Sequence, residues 1–453
     1  MKRLYFFLSL MLLVLRMEGQ VWRDVGGGIN HGIQLSRTVN DMIVFNDSLY
    51  VVGIFDSLYS PLQYCSGFAV WDSSNYQCRS GTQLFQSSLC IGTYQNELVI
   101  GSRGSNTFQP QFSRIRRISG GVVYPFGNGI QNGEVRCLQE YNGELYVGGN
   151  FTTVDSTINA NRIARWDGIQ WHAIGTGVTG GLPSLYAMAE YNGELYVGGN
   201  FSSINGFPSQ NISRFDGVSW DSLNAGVSGF IFSMLVDSIN DVLYVGGAIG
   251  SAGGIPTPCG VAKWDGNNWS AVGTEPIELD PKTMVMYKGK LFAGGVTKGL
   301  NSVGQMVFQM AWFDGQNWNP VCDTMDGGEI QSLCVYQDEL YVGGYFRMIN
   351  DSALYGIART HFPNVSVLEY NPKSSTVKVY PNPTSAILNL KTETQGEKIN
   401  SFTLYSTEGN VLNSRDKLNA EETVIDLTSI STGVYFIRVD TSKGISNIKI
   451  LKE

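Results

Sequence analysis

The 453-residue chain is acidic, with a formal net charge of −8, and it holds 54 glycines and 12% aromatic residues against only 15% charged ones. Such a balance excludes nucleic acid and anionic membrane surfaces as main partners. The glycine and aromatic content favours β structure with tight turns over helices.

At the N-terminus, Lys2 and Arg3 precede an apolar run from Leu4 to Leu15, and the small Gly19 follows. That order of basic, apolar and small residues reads as a signal peptide over 1–19, with a mature chain from Gln20. No other stretch reaches the roughly 18 consecutive apolar residues of a membrane helix, so no membrane span is expected.

From Leu49 onward one segment keeps returning: LYVVG at Leu49, LVIGS at Leu98, LYVGG at Leu145, Leu195, Leu243 and Leu340, and LFAGG at Leu291. The intervals are 49, 47, 50, 48, 48 and 49 residues. The decapeptide YNGELYVGGN even recurs verbatim, at Tyr141 to Asn150 and at Tyr191 to Asn200. A fixed period of this length marks one supersecondary unit used repeatedly.

Each unit reads as four short antiparallel strands. An apolar strand meets a polar two-residue turn such as Asn192-Gly193, and ELYVGG then alternates with the period of two expected of a strand. After a loop comes a strand ending in an aromatic, as in RIARWDG, whose Asp-Gly turn leads to a last strand opening with Trp. The tryptophans Trp171, Trp220, Trp269 and Trp318 are expected to fill the space between successive sheets. Asp167, Asp216, Asp265 and Asp314 are expected to form turns, and the glycine pairs to sit where strands bulge or backbones approach closely.

The run LYVGGNFTTVDSTINANRIARWDGIQW resembles the units of kelch-like bacterial β-propellers. The resemblance implies an all-β, seven-bladed β-propeller over residues 20–366. The second unit departs from the pattern, with LVIGSRG and no WDG turn, and the sixth lacks the Asn-Phe that follows the doublet. The seventh copy stops after YGIART without a fourth strand, while the orphan VWRDVGGGI near the N-terminus matches one. The N-terminal strand is therefore expected to complete the last blade and close the ring.

Residues 367–376 read as a linker. From Val377 a different composition begins, with short alternating strands suited to a small C-terminal β-sandwich. Tyr380-Pro381-Asn382-Pro383, the stretch ending in TGVYFIRV and the terminal IKILK resemble the type A sorting domain of type IX secretion. For residues 377–453 that implies contact with the type IX secretion machinery and passage across the outer membrane. Release or attachment at the cell surface would follow.

Chemistry is sparse. Among the seven cysteines, Cys65 and Cys78 lie at hairpin-compatible separation in one unit and form the best candidate disulfide, whereas Cys90, Cys137 and Cys334 fall in inner strands as expected buried thiols. The three histidines, His31, His172 and His361, do not form the ligand sets of copper propellers. DTMDGGE, from Asp323 to Glu329, misses the spacing of a calcium loop and reads as a polar connection into the seventh unit. No catalytic residue, metal or cofactor is assigned.

A binding surface is expected on the face carrying the loops between second and third strands and between units. Phe151, Phe201 and Phe346 read as packing residues there, and Asn205, Arg347 and Asn350 as candidate contacts. The expected function is a secreted or surface-attached binding module for an extracellular glycan or protein. The alternative is a glycoside hydrolase-like enzyme working through loop carboxylates, a pair that cannot be picked out from sequence.

Overall fold

The structure, a computed structural model, describes residues 21–30, 37–58, 63–78, 87–104, 114–274, 279–297, 309–322, 325–350, 352–362, 377–392, 394, 396–405, 411–428, 430–443 and 445–453. The leader, His31 and the linker lie outside them. The chain is all-β and divides into two compact units, 1–363 and 364–453.

In the first unit, seven antiparallel sheets share one pattern among the described residues, and each follows the order read from the repeat. The third sheet is representative: Val135–Tyr141, Glu144–Gly149, Ile163–Trp166 and Trp171–Ala173 are paired in that order. The first strands of the seven sheets are Thr38–Phe45, Ser88–Tyr94, Val135–Tyr141, Ser184–Tyr191, Val227–Asp237, Leu279–Tyr287 and Met325–Tyr336. Each packs on the first strand of the next sheet, and the seventh packs back on the first. Four-stranded sheets adjoining in this way are of the kind that form propeller blades.

The seventh sheet takes its fourth strand from the other end of the chain. Trp22–Asp24 pairs antiparallel with Ile357–Thr360, with Trp22 opposite Thr360. The turn that follows is the one seen elsewhere: Gly26 and Gly28 hold φ of +55° and +84°, and Gly175 and Gly177 hold +52° and +76°. Gly28 N donates to Val25 O as Gly177 N does to Ile174 O.

The repeated letters now have physical reasons. Glu144 pairs with Arg165 across the second and third strands, as Glu194 does with Arg214 at 3.2 Å and Glu339 with Arg359 at 2.9 Å. The Asp of each Asp-Gly turn accepts two backbone N–H groups: Asp216 Oδ1 takes Val218 N and Ser219 N, both at 2.7 Å, and Asp265 takes Asn267 N at 2.9 Å and Asn268 N at 2.6 Å. Those bonds hold both carboxyls below their usual range. The following glycine adopts φ near +100°, a left-handed conformation suited to glycine.

Fourth-strand tryptophans fasten one sheet to the previous one. Trp171 Nε1 donates to Phe126 O at 2.8 Å, Trp269 Nε1 to Leu223 O at 3.2 Å and Trp318 Nε1 to Val272 O at 2.9 Å. A second set of fasteners was not visible beforehand. Where a first strand ends in Tyr, the hydroxyl donates to the hairpin turn of the next sheet: Tyr141 to Gly193 O at 3.0 Å, Tyr191 to Asp241 O at 2.9 Å and Tyr287 to Asp338 O at 2.7 Å. Tyr336 reaches Asp47 O at 2.8 Å, carrying the same bond from the seventh sheet to the first.

One departure from the repeat leaves the strand count intact, and one expectation needs adjustment. The second sheet keeps four strands despite lacking WDG, because Gly120-Gly121 makes a two-residue turn between Ile115–Ser119 and Val122–Pro125. Of DTMDGGE, Met325 to Glu329 is already the start of the first strand of the seventh sheet, paired with Glu339–Ile349, so those residues are not a connection. Cys65 and Cys78 form a disulfide, with Cα atoms 5.2 Å apart. Cys90 and Cys137 are buried free thiols, and Cys334 is a partly buried one.

The second unit contains two sheets, Val377–Tyr380, Ile387–Thr392 and Glu422–Asp426 in one, and Val411–Arg415, Ile399–Tyr405, Gly433–Thr441 and Ile445–Lys452 in the other. Leu388, Leu390 and Ile425 from the first share one core with Phe402, Leu404, Ile437 and Val439 from the second. Asn382 clamps the terminal strand, its Nδ2 donating to Lys449 O at 2.7 Å and its Oδ1 accepting from Leu451 N at 2.8 Å.

Candidate functional site

All seven first strands carry a β-bulge at the same place. The register skips Asn40, Leu89, Arg136, Tyr186, Phe232, Lys282 and Gln331, one residue per sheet. Each stands five positions before the end of its strand. A bulge leaves its residue outside the ladder and re-aims the side chain.

The glycine doublet is the counterpart of this bulge. A Cβ on Gly149 would sit 1.9 Å from Glu134 O, on Gly199 2.1 Å from Ser184 O, and on Gly295 1.9 Å from Asp280 O, in each case the carbonyl two residues before the bulged one. The first glycine of the pair gives room to the next sheet, since a Cβ on Gly198 would meet Ile231 at 2.7 Å and one on Gly294 would meet Ile330 at 2.5 Å. Hence the doublet fits the bulge where it occurs, although the first sheet pairs Val52-Gly53 and the second Gly101-Ser102 with the same bulge.

The first strands pack on one another in turn, and four of the bulged side chains meet from sheet to sheet. Arg136 lies 4.9 Å from the ring centre of Tyr186, Tyr186 and Phe232 meet edge to face at 5.4 Å, and Lys282 Nζ sits 3.8 Å over Phe232. Each of these contacts crosses from one sheet to the next. Asn40 donates to Ser88 O at 2.6 Å, linking the first and second sheets. All seven residues are partly buried, which leaves part of each surface open.

Charges around the ring are unevenly compensated. Glu134 is shared by two guanidiniums, Arg136 and, at 2.6 Å, Arg103. Lys282 makes no ion pair among the described residues; burial pulls its ammonium pKa down, while the more distant Glu329 and Asp280 oppose that shift. Asp41, next to Asn40, is pushed up to about 6 by burial, although it accepts hydrogen bonds from Ile91 N and Met42 N, both at 2.9 Å, and from Ser332 Oγ at 3.3 Å. It joins the seventh, first and second sheets.

Asn205 and Asn350 occupy matching tips of hairpins between second and third strands, with φ of +48° and +47°. Asn205 is committed to its turn: its Oδ1 accepts from Thr176 N at 3.2 Å and its N donates to Gly177 O at 2.7 Å. Arg347 is exposed in the strand leading to Asn350. Phe151, Phe201 and Phe346 are buried. No candidate from the sequence lies in the bulged ring. Its one signal was positional, a variable letter five residues before a recurring Tyr.

Other chemistry is occupied. His172 pairs with Asp167 at 2.6 Å, and His361 contacts Lys288 Nζ at 3.2 Å. Burial pushes the Cys137 and Cys334 thiols to about 12. No cluster of three metal-ligating side chains occurs among the described residues. A depression of about 340 Å³ at the edge of the fourth sheet is lined by Arg214, Glu194 and Asp221, which are already paired with one another.

With the geometry in place, comparison with known proteins adds one firm result. Residues 378–453 match the family described as secretion system C-terminal sorting domain. The protein is therefore exported across the outer membrane to the surface or exterior, through a tail that engages the secretion machinery. Among the described residues no helix is long and apolar enough to cross a membrane. No curated protein matches the sequence.

Two solved structures are similar in part. A GH74 enzyme of Niastella koreensis shows 12% identity and a TM-score of 0.46, over 96% of this chain and 74% of that one. A structural genomics protein of unknown function from Bacteroides thetaiotaomicron shows 12% identity and a TM-score of 0.32, over 74% of this chain and 100% of that one.

Proposed function

We propose that this chain is an exported, kelch-like seven-bladed β-propeller, spanning 20–366 and closed by its N-terminal strand. It acts as a binding module and performs no chemistry on its ligand. The observation that carries the reading is the bulged ring. Seven equivalent positions hold seven different side chains, Asn, Leu, Arg, Tyr, Phe, Lys and Gln, while the positions around them are tied to packing. Positions that are structurally equivalent and chemically diverse suit recognition of an asymmetric ligand at the mouth of a propeller.

Export supports the same reading, since extracellular glycans and proteins on other cells are the molecules such a module would meet. Nearby carboxylates favour structure over hydrolysis: Asp41 is held by three donors and Glu134 by two arginines. Screening the purified protein on a glycan array and against a panel of glycoside substrates tests the proposal. Saturable binding without product is expected. Turnover that disappears on Glu134→Gln, Asp280→Asn or Glu329→Gln would replace it with the hydrolase reading.

A further inference from the structure

The bulged ring is divided by chemistry. Going round it, Gln331 and Asn40 supply side-chain amides from the seventh and first sheets, each with one N–H engaged, by Glu329 and by Ser88 O, and a second N–H left over, and Leu89 follows from the second sheet. Arg136, Tyr186, Phe232 and Lys282 then make an unbroken arc over the third to sixth sheets, cation, ring, ring, cation. Phe230, 45% exposed, extends the aromatic part, its ring centre 6.4 Å from that of Phe232.

Each cation lies over a ring, a contact that steadies a charge without neutralising it. Arg103 and Arg136 share the single carboxylate of Glu134, so one positive charge remains in excess there. On the other side, Asp280 and Glu329 attract Lys282, which makes no ion pair among the described residues. A partly buried ammonium with no paired carboxylate gains from a ligand that brings one, because charge-assisted bonds strengthen as water is excluded. Aromatic faces accept the C–H faces of sugar rings, and amides donate to and accept from hydroxyl groups at once.

Resting on the reading of the ring as a binding mouth, we infer that its ligand is an acidic saccharide. The carboxylate or sulfate lies against Arg136 and Lys282, the sugar ring against Tyr186, Phe232 and Phe230, and the hydroxyls against Asn40 and Gln331. The uneven arrangement of amides and cations fixes the ligand in one orientation.

The test applies the full-length protein to an array of hexuronate, sulfated and sialylated glycans, each beside its neutral counterpart. Arg136→Gln, Lys282→Gln and Phe232→Ala variants are run in parallel, with melting temperatures recorded to show that each is folded. Saturable binding restricted to acidic glycans is expected. It should weaken roughly tenfold or more in the two charge variants and fade as salt is raised. Phe232→Ala should weaken acidic glycans without changing their preference over neutral ones.

Equal binding of neutral and acidic glycans, dependent on Phe232, would overturn the inference and leave the mouth as a neutral-glycan site. Acidic binding unchanged in all three variants would overturn it by moving the site elsewhere. No glycan binding, with an acidic peptide bound instead and lost in Lys282→Gln, would overturn the saccharide and keep the mouth.

Discussion

At the scale of single residues, the inner face is held by a few contacts whose loss can be measured. Tyr141→Phe keeps the buried ring and removes the hydroxyl's bond to Gly193 O and its longer one to Phe215 O, so it should cost on the order of 1 kcal/mol in chemical denaturation. Gly199→Ala should cost more than any tyrosine variant, because its Cβ would lie 2.1 Å from the backbone oxygen of Ser184. Asp41 makes a pH prediction. Its folded pKa, about 6, lies above the ordinary carboxyl value of 3.8, so the folded state holds the extra proton between those values. The stability it contributes is complete below 3.8 and is lost as pH rises through 6. Asp41→Asn should flatten that part of the stability profile and gain about 2 kcal/mol at neutral pH relative to acid, allowing for partial exposure. A profile identical to the parent's would show that the carboxylate is ionised at no cost. These residues also mark where sequence reading stops: Trp, Asp-Gly and the glycine doublet recur as letters, whereas the seven bulged residues share a position and no letter.

At the scale of strands and sheets, the repeat was legible because each sheet meets the same neighbours and solves the same packing problem. The second sheet was harder to read, since Gly120-Gly121 does the work of WDG with different residues. The glycine pairs pointed to bulges, but which residue of the facing strand is bulged was not legible, as that depends on how the strand pairs and not on its own composition. The strand Trp22–Asp24 was legible from its glycines, and it carries the largest expected effect at this scale. Deleting residues 20–28 removes the fourth strand of the seventh sheet and Trp22, which packs with Phe292, Val321 and Phe362. Burial of that one ring is worth about 2 to 3 kcal/mol, and the exposed edge adds to the loss. A thermal melt should show a drop of many degrees; an unchanged midpoint would mean that the pairing with Ile357–Thr360 contributes nothing.

At the scale of the whole molecule, destination and recognition are written in different units. The tail was legible from its motifs because these serve its own fold: Asn382 clamps the last strand, and Tyr435 donates its hydroxyl to Ser431 O at 2.8 Å. The proposed ligand site was not legible, since it exists only when distant strands are brought side by side. Each unit has its own hydrophobic core, Leu388, Phe402 and Ile437 in the tail and separate clusters in the sheets before it. Removing residues 378–453 should therefore leave the first unit folded while abolishing passage across the outer membrane. Cell fractionation with an antibody against the first unit would find the truncated protein in the periplasm and the parent outside. Circular dichroism of the trapped protein should keep a cooperative β-sheet melt. If the truncated chain reached the medium, export would depend on some other signal; if it were trapped but unfolded, the tail would be supporting the fold as well as directing it.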